Sequence, residues 1–148
     1  MLLTWQFLSW NELTAEKLYK ILALRSNVFV VEQECAYLDP DEKDQDAMHL
    51  LAFKKETLIA YVRIFLNQSP CIIGRVVVHQ KYRGLNIGRA LMKAAIEKVS
   101  PKDSVFISAQ EQLKAFYASL GFSQSGKGYL EDGMPHIPMM LPPRHANG

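Results

Sequence analysis

Apolar and polar residues mostly alternate from Leu3 to Trp10, which predicts an N-terminal strand. The period then lengthens. Thr14 is a suitable N-cap, and Leu18, Ile21, Leu22, Val28 and Phe29 fall on one stripe of a helix reaching about Val30. Arg25 lies on the same stripe. An arginine facing a core needs a carboxylate or a ring of carbonyls for its donors, so Arg25 either reaches the acidic segment downstream or sits at the stripe's rim. That segment, Asp39 to Asp46 (DPDEKDQD), has no periodicity and much charge, and reads as a solvated loop. It is a poor match to a calcium loop, which needs Gly at its sixth position and Glu at its twelfth, where Asp44 and Leu50 stand.

Three strand-like runs follow, Met48 to Lys54, Leu58 to Leu66 and Cys71 to His79, and read as an antiparallel meander. From Asn86 to Val99 the pattern becomes helical, with Ile87, Ala90, Leu91, Ala94 and Ala95 on one face and Arg89, Lys93 and Glu97 on the other. Ser104 to Ala109 reads as a strand again, so strand, helix and strand form one βαβ-like crossover. Gln110 to Leu120 is expected to be a short helix stopped by Gly121. The tail holds a strand, a turn around Glu131-Asp132-Gly133 and a strand through Ile137 to Met140, and residues 142–148 are expected to fray.

The period switches from two to 3.6 at Tyr82-Arg83-Gly84. There a strand enters a turn with two glycines and an amphipathic helix begins inside it, so unpaired N–H groups converge at the positive end of the helix dipole. Gly84 and Gly88 would let a pyrophosphate approach the backbone, and Arg83 and Arg89 add positive charge. The bland alternative is a glycine-bearing turn with solvated arginines. The Gly-Lys-Ser/Thr ending of a P-loop is missing, as is the three-glycine dinucleotide fingerprint.

Composition narrows the partners. The 148 residues have the length of one ordinary domain, and 49% hydrophobic residues suffice for a sizeable core. Seventeen Lys and Arg against fifteen Asp and Glu leave a net charge of +2, too little to argue for nucleic acid or membrane. Cys35 and Cys71 stand in no metal-binding spacing and read as buried thiols in a reducing compartment, with no metal and no disulfide. The apolar start lacks a basic flank and a cleavage site, and no apolar run approaches a membrane span, so a cytoplasmic protein is expected, as a monomer or a symmetric homodimer.

The run YRGLNIGRALM resembles motif A of the GNAT acyltransferase superfamily, whose backbone cradles the pyrophosphate of coenzyme A. Arg83 and Gly88 match, whereas Asn86 replaces the middle glycine; Asn tolerates a left-handed backbone better than most residues. The run from Gln110 through Phe116-Tyr117 to Gly121-Phe122 resembles motif B, with Gln110 in place of the usual Asn. LRSNVFVVEQECAYLDPDEKDQDAMHLLAF and YLEDGMPHIPMM are similar to the ElaA-like branch, in which the middle glycine of motif A is often lost.

The resemblance implies an α/β fold of the GNAT type, with a mixed, mostly antiparallel twisted sheet flanked by helices. It also implies an N-acetyltransferase that uses acetyl-CoA as co-substrate and a small-molecule or protein amine as acceptor. The cofactor would lie in a V-shaped gap between the strand of Ile72 to Val78 and that of Ser104 to Ala109, held by Val76, Val77, Val78, Arg83, Gly84, Leu85, Asn86, Ile87, Gly88, Arg89, Gln110 and Tyr117. A backbone N–H near Val77 or Val78 would meet the thioester oxygen, and Tyr117 would serve the departing thiolate. Glu32 and His136 are the residues assigned to the acceptor side, among the polar candidates Gln33, His49 and Asp132. Two other readings are a non-catalytic acyl-CoA sensor, which the altered motif A permits, and an acyl-homoserine-lactone synthase, which wants a more basic docking surface than this chain offers.

Overall fold

In the computed structural model, which describes residues 1–144, β1 (Thr4–Ser9), β2 (Met48–Lys54), β3 (Thr57–Phe65) and β4 (Cys71–Val78) form the expected antiparallel meander. β5 (Val105–Gln110) joins β4 in parallel across α2 (Ile87–Glu97), and β8 (Met134–Leu141) adds to β5 antiparallel. Two short strands, β6 (Ser123–Gln124) and β7 (Tyr129–Glu131), both pair with β8. The result is one eight-stranded mixed sheet in the order β1-β2-β3-β4-β5-β8-β6.

Both faces of the sheet are covered. Leu50, Ala52, Val62 and Ile64 pack with Leu91, Met92 and Ala95 of α2. Leu51, Phe53 and Tyr61, of opposite parity, pack with Ile21 and Leu24 of α1 (Ala15–Arg25) and with Val28. Burial on both sides explains why β3 reads as a nearly unbroken apolar run.

Four features differ from the sequence expectation. The first helix does not stay α to Val30: after Arg25 it widens into π-helical turns over Ser26–Glu32, with Gln33 N donating to Val28 O and Cys35 N to Val30 O. Gln110 ends β5 instead of opening a helix, and the helix proper, α3, is only Lys114–Ala118. The acidic segment is solvated only in part: Pro40, Glu42, Lys43, Gln45 and Asp46 are exposed, but Asp39 and Asp44 are buried. The chain is tied down as far as Arg144, whose backbone N–H donates to Pro101 O and whose guanidinium bonds the carbonyls of Val99 and Asp103; the rest of the expected frayed tail, 145–148, lies outside the described residues.

The reason for the buried acids is that arginines lie beneath them. Arg25, fully buried, donates from Nε to Asp39 Oδ2 and from Nη1 to Asp44 Oδ1, both at 2.7 Å. Arg63 bonds Asp41 and Asp44, and Arg75 lies 3.0 Å from Asp39 Oδ1. Three cations thus face three carboxylates, and a charge taken from water needs such a partner. Of the two sequence readings of Arg25, the reach toward the acidic segment is the one realised. His49 closes the cluster: its Nδ1 lies 2.6 Å from the Tyr61 hydroxyl and its Nε2 2.9 Å from Asp44 O. A carbonyl only accepts, so Nε2 carries the hydrogen and Nδ1 takes the Tyr61 proton.

Candidate active site

The site begins with a defect in β4. Arg63 stands opposite Gly74 and Tyr61 opposite Val77, so Arg75 and Val76 together face the single residue Val62. This bulge bends the strand, and Arg75 adopts a left-handed φ of +53°. β4 pairs with β5 only at Cys71–Val105 and Ile72–Phe106. β5 continues along β8 as far as Gln110, opposite His136, while β4 turns away. The two parallel strands therefore open like a V.

The cleft in the V is lined on the β4 side by Ile73, Gly74, Arg75 and Val76 and on the β5 side by Ile107, Ser108 and Gln110. Gln33, Cys35 and Tyr37 approach from the π-helical end of the first helix, Tyr117 from α3, and Glu131, Asp132 and His136 from the β7–β8 turn. Val77 is buried beneath this wall against Tyr61, and the Val78 carbonyl accepts from Arg83 Nε and Nη2 at 3.2 and 3.1 Å.

Beyond Val78 the chain makes a short 3₁₀ turn and enters α2 through Gly84, at φ +78°, and Asn86, at φ +62°. Asn86 thus takes the left-handed conformation that a glycine would otherwise supply. No side chain caps α2, whose first internal bond runs from Ala90 N to Asn86 O. The N–H groups of Ile87, Gly88 and Arg89 have no such partner. Gly88 faces Val78 and Phe116, each 3.8 Å from where a Cβ would stand. Ile87 is buried, whereas Leu85 is exposed. Arg89 donates to Ser119 Oγ at 2.6 Å.

Arg83 is bidentate with Glu32, one contact being Nη2 to Oε1 at 2.8 Å. That bond, over a small opposing effect of burial, holds the Glu32 carboxyl below its usual range. The structure thus joins Glu32 to the α2 turn, while Gln33, Asp132 and His136 reach the cleft and His49 is committed to the acidic cluster. Gln110 bonds Gln33 and Gln112 across the cleft mouth. Tyr117 is 5% exposed, and burial pushes its hydroxyl up to about 12.

Sequence reading passed over Tyr37, Arg75, Ser108, Tyr129 and Glu131. Tyr37 donates to Asp39 Oδ1 at 2.9 Å, which ties the cleft floor to the buried ion cluster. Ser108 Oγ bonds the Tyr129 hydroxyl and lies 3.2 Å from Glu131 Oε1. Among the described residues no three His, Cys, Asp or Glu side chains converge as metal ligands, and no helix is long and apolar enough to cross a membrane.

Residues 14–142 match the model of the acetyltransferase (GNAT) domain. Protein ElaA of Escherichia coli is 40% identical over 146 residues, covering 93% of this chain and 95% of that one. Its crystal structure superposes with a TM-score of 0.88 over 95% of this chain and 99% of that chain. An acyl-CoA N-acyltransferase from Pseudomonas aeruginosa, 37% identical, superposes at 0.90 with the same coverage. At 15% identity, an N-acetyltransferase from Thermoplasma acidophilum in complex with coenzyme A shares the fold at 0.68, over 96% of this chain and 99% of that chain. The open V of β4 and β5, the uncapped start of α2 and these likenesses lead to one conclusion: the chain belongs to the GNAT acetyltransferase family, in the ElaA-like branch.

Proposed function

We propose that the protein is an N-acetyltransferase that moves the acetyl group of acetyl-CoA to a primary amine by direct attack in a ternary complex. The observation that carries the reading is a combination of three features: the uncapped start of α2, the edge of β4 that β5 leaves unpaired beyond Ile72, and Tyr117 in the wall of the cleft. The residues present fit the cofactor. Free N–H groups at a helix start suit a pyrophosphate, with Gly84, Leu85, Asn86, Ile87 and Gly88 supplying the backbone and Arg83 and Arg89 the charge. An unpaired strand edge suits a chain of amides, which Val76, Val77 and Val78 would align, with Gln110 opposite.

Acetyl-CoA supplies a thioester carbonyl and a thiolate leaving group. The protein's part is to hold the carbonyl oxygen on a β4 N–H, admit the amine from the β7–β8 side and accept its proton near His136. One C–N bond forms and one C–S bond breaks. Tyr117 stays protonated at neutral pH, being a weaker acid than a thiol of reference pKa about 8.5, so it serves the departing sulfur by hydrogen bonding more than by complete transfer. The proposal extends to a cytoplasmic protein acting as a monomer or symmetric homodimer; its two cysteines are free and buried, which suits a reducing compartment.

The test is CoA release from acetyl-CoA, followed through the free thiol, across a panel of amines. Amine-dependent release with formation of the acetylated amine is expected. Tight CoA binding with no release for any amine would leave the acyl-CoA sensor as the better reading.

A further inference from the structure

We propose that the acceptor's ammonium group docks against Glu131 and His136, bridging the two side chains, and that His136 Nε2 takes its proton. The inference rests on the N-acetyltransferase reading and assigns the two side chains that receive its primary-amine acceptor in the protonated form.

The β7–β8 hairpin places Tyr129 opposite His136 and Glu131 opposite Met134. His136 Nδ1 lies 2.8 Å from the Met134 carbonyl oxygen. A carbonyl only accepts, so Nδ1 carries the hydrogen and Nε2 of the neutral ring keeps its lone pair. That lone pair faces Glu131 Oε2 at 3.5 Å, too far for a good hydrogen bond. With the ring in its neutral form, two acceptors confront each other with no hydrogen between them. The His136 side chain is only 10% exposed, whereas that of Glu131 is 47% exposed, so the imidazole is shielded from water and the carboxylate faces the open side from which an amine arrives.

The carboxylate is held in place from its other side. Tyr129 is positioned to donate to Ser108 and Ser108 to Glu131 Oε1 at 3.2 Å, which leaves Oε2 for the gap. The Tyr129 ring also stacks on His136, with centroids 6.3 Å apart and planes inclined by 17°. The charge around the gap agrees with a cationic guest. Asp132 lies on the same turn, and Arg75, the cation that lines this cleft, is neutralised by Asp39 and Asp41.

What satisfies two facing acceptors is a donor with more than one N–H and a positive charge, which a primary ammonium has. When the amine gives one proton to Nε2, the imidazolium formed stands beside Glu131 and is stabilised by it, while the neutral nitrogen gains the lone pair needed for attack. One N–H bond breaks and one forms.

The experiment has a binding arm and a kinetic arm. With CoA present, n-butylammonium should shift the ¹⁵N resonance of His136 Nε2, whereas tetramethylammonium, of equal charge but without N–H, should not. Glu131→Gln should abolish that shift. In turnover, His136→Gln should lower kcat about 10²-fold, as loss of a general base does, and the loss should shrink as pH rises and the amine enters already neutral. Glu131→Gln should raise the amine KM about tenfold or more, with CoA affinity unchanged. A ¹⁵N response to tetramethylammonium equal to that of butylammonium would overturn the slot, as would unchanged kcat in a folded His136→Gln variant. The binding arm needs no turnover, so a normal ¹⁵N response with no CoA release would reject the acetyl-transfer reading and leave the slot standing.

Discussion

Arg83, at the entrance to the α2 turn, is clasped by Glu32 from the far end of the first helix, Nη2 to Oε1 at 2.8 Å. A carboxylate here neutralises the arginine that would otherwise meet phosphate. An incoming anion must therefore share or displace it. Glu32→Gln removes the competing charge, and at low salt CoA should bind about fivefold more tightly, the scale of one partly exposed charge pair. Calorimetric titration measures this. An unchanged CoA affinity with a raised amine KM would instead return Glu32 to the acceptor side, where the sequence reading had assigned it.

Gly88 tests the anion site directly. A methyl at this position meets Val78 and Phe116 at 3.8 Å, an ordinary contact, so Gly88→Ala should fold and retain CoA. Gly88→Glu sets a carboxylate and a long side chain before the free N–H groups of α2. A loss of about 10²-fold or more in CoA affinity is expected, since both charge and bulk oppose the phosphate. If Glu at 88 left CoA affinity intact in a protein of normal thermal stability, the pyrophosphate would have to sit elsewhere.

The strand runs and the crossover helix were legible because period 2 and period 3.6 leave different marks on a chain. Asn86 was legible too, since few residues other than glycine tolerate the left-handed φ of +62° it adopts. The bulge that opens the cleft was not. It falls within the apolar run of β4, and the residue with positive φ is Arg75, which no local rule marks for such a turn. The acidic segment misled for a different reason: seven polar residues and a proline in a row look solvated, and the partners that bury Asp39 and Asp44, namely Arg25, Arg63 and Arg75, lie 14 to 36 residues away. Glu131 was read only as part of the late turn and not singled out, because its place depends on Ser108 of another strand, 23 residues earlier.

That ion cluster sets an acid limit on stability. Burial by itself pushes Asp41 and Asp44 up, but Arg63 and Arg25 outweigh it and hold both carboxyls below their usual range. Groups depressed by folding stabilise above the unfolded value and lose that contribution as pH falls, here below about 4. His49 is depressed by burial, so the unfolded chain takes its proton first and stability begins to decline below about pH 6.5. Chemical denaturation against pH should show a shallow decline from about 6.5 and a steeper one near 4. Arg25→Met leaves Asp39 and Asp44 short of a cation and should cost about 3–5 kcal/mol at neutral pH. A loss below about 1 kcal/mol would mean that water reaches the cluster.

The last prediction concerns Tyr117. The residue lines the cleft, its ring packs edge-on against Phe116 and Phe122, and burial is the one cause raising its pKa to about 12. Tyr117→Phe keeps the ring and these contacts and removes only the donor. If the hydroxyl steadies the thiolate as the C–S bond breaks, kcat should fall about 10²-fold, the lower range for acid catalysis, while acetyl-CoA affinity changes little. The loss should shrink with a donor whose leaving thiol is more acidic, because such a thiolate needs less help. That dependence separates a chemical role from a packing role, which would slow all donors alike. Thermal unfolding provides the control, since a large fall in Tm would trace the kinetic loss to a disturbed core. Unaltered turnover in a stable variant, with chemistry shown to be rate-limiting, would leave Tyr117 as a wall of the cleft and assign thiolate protonation to water.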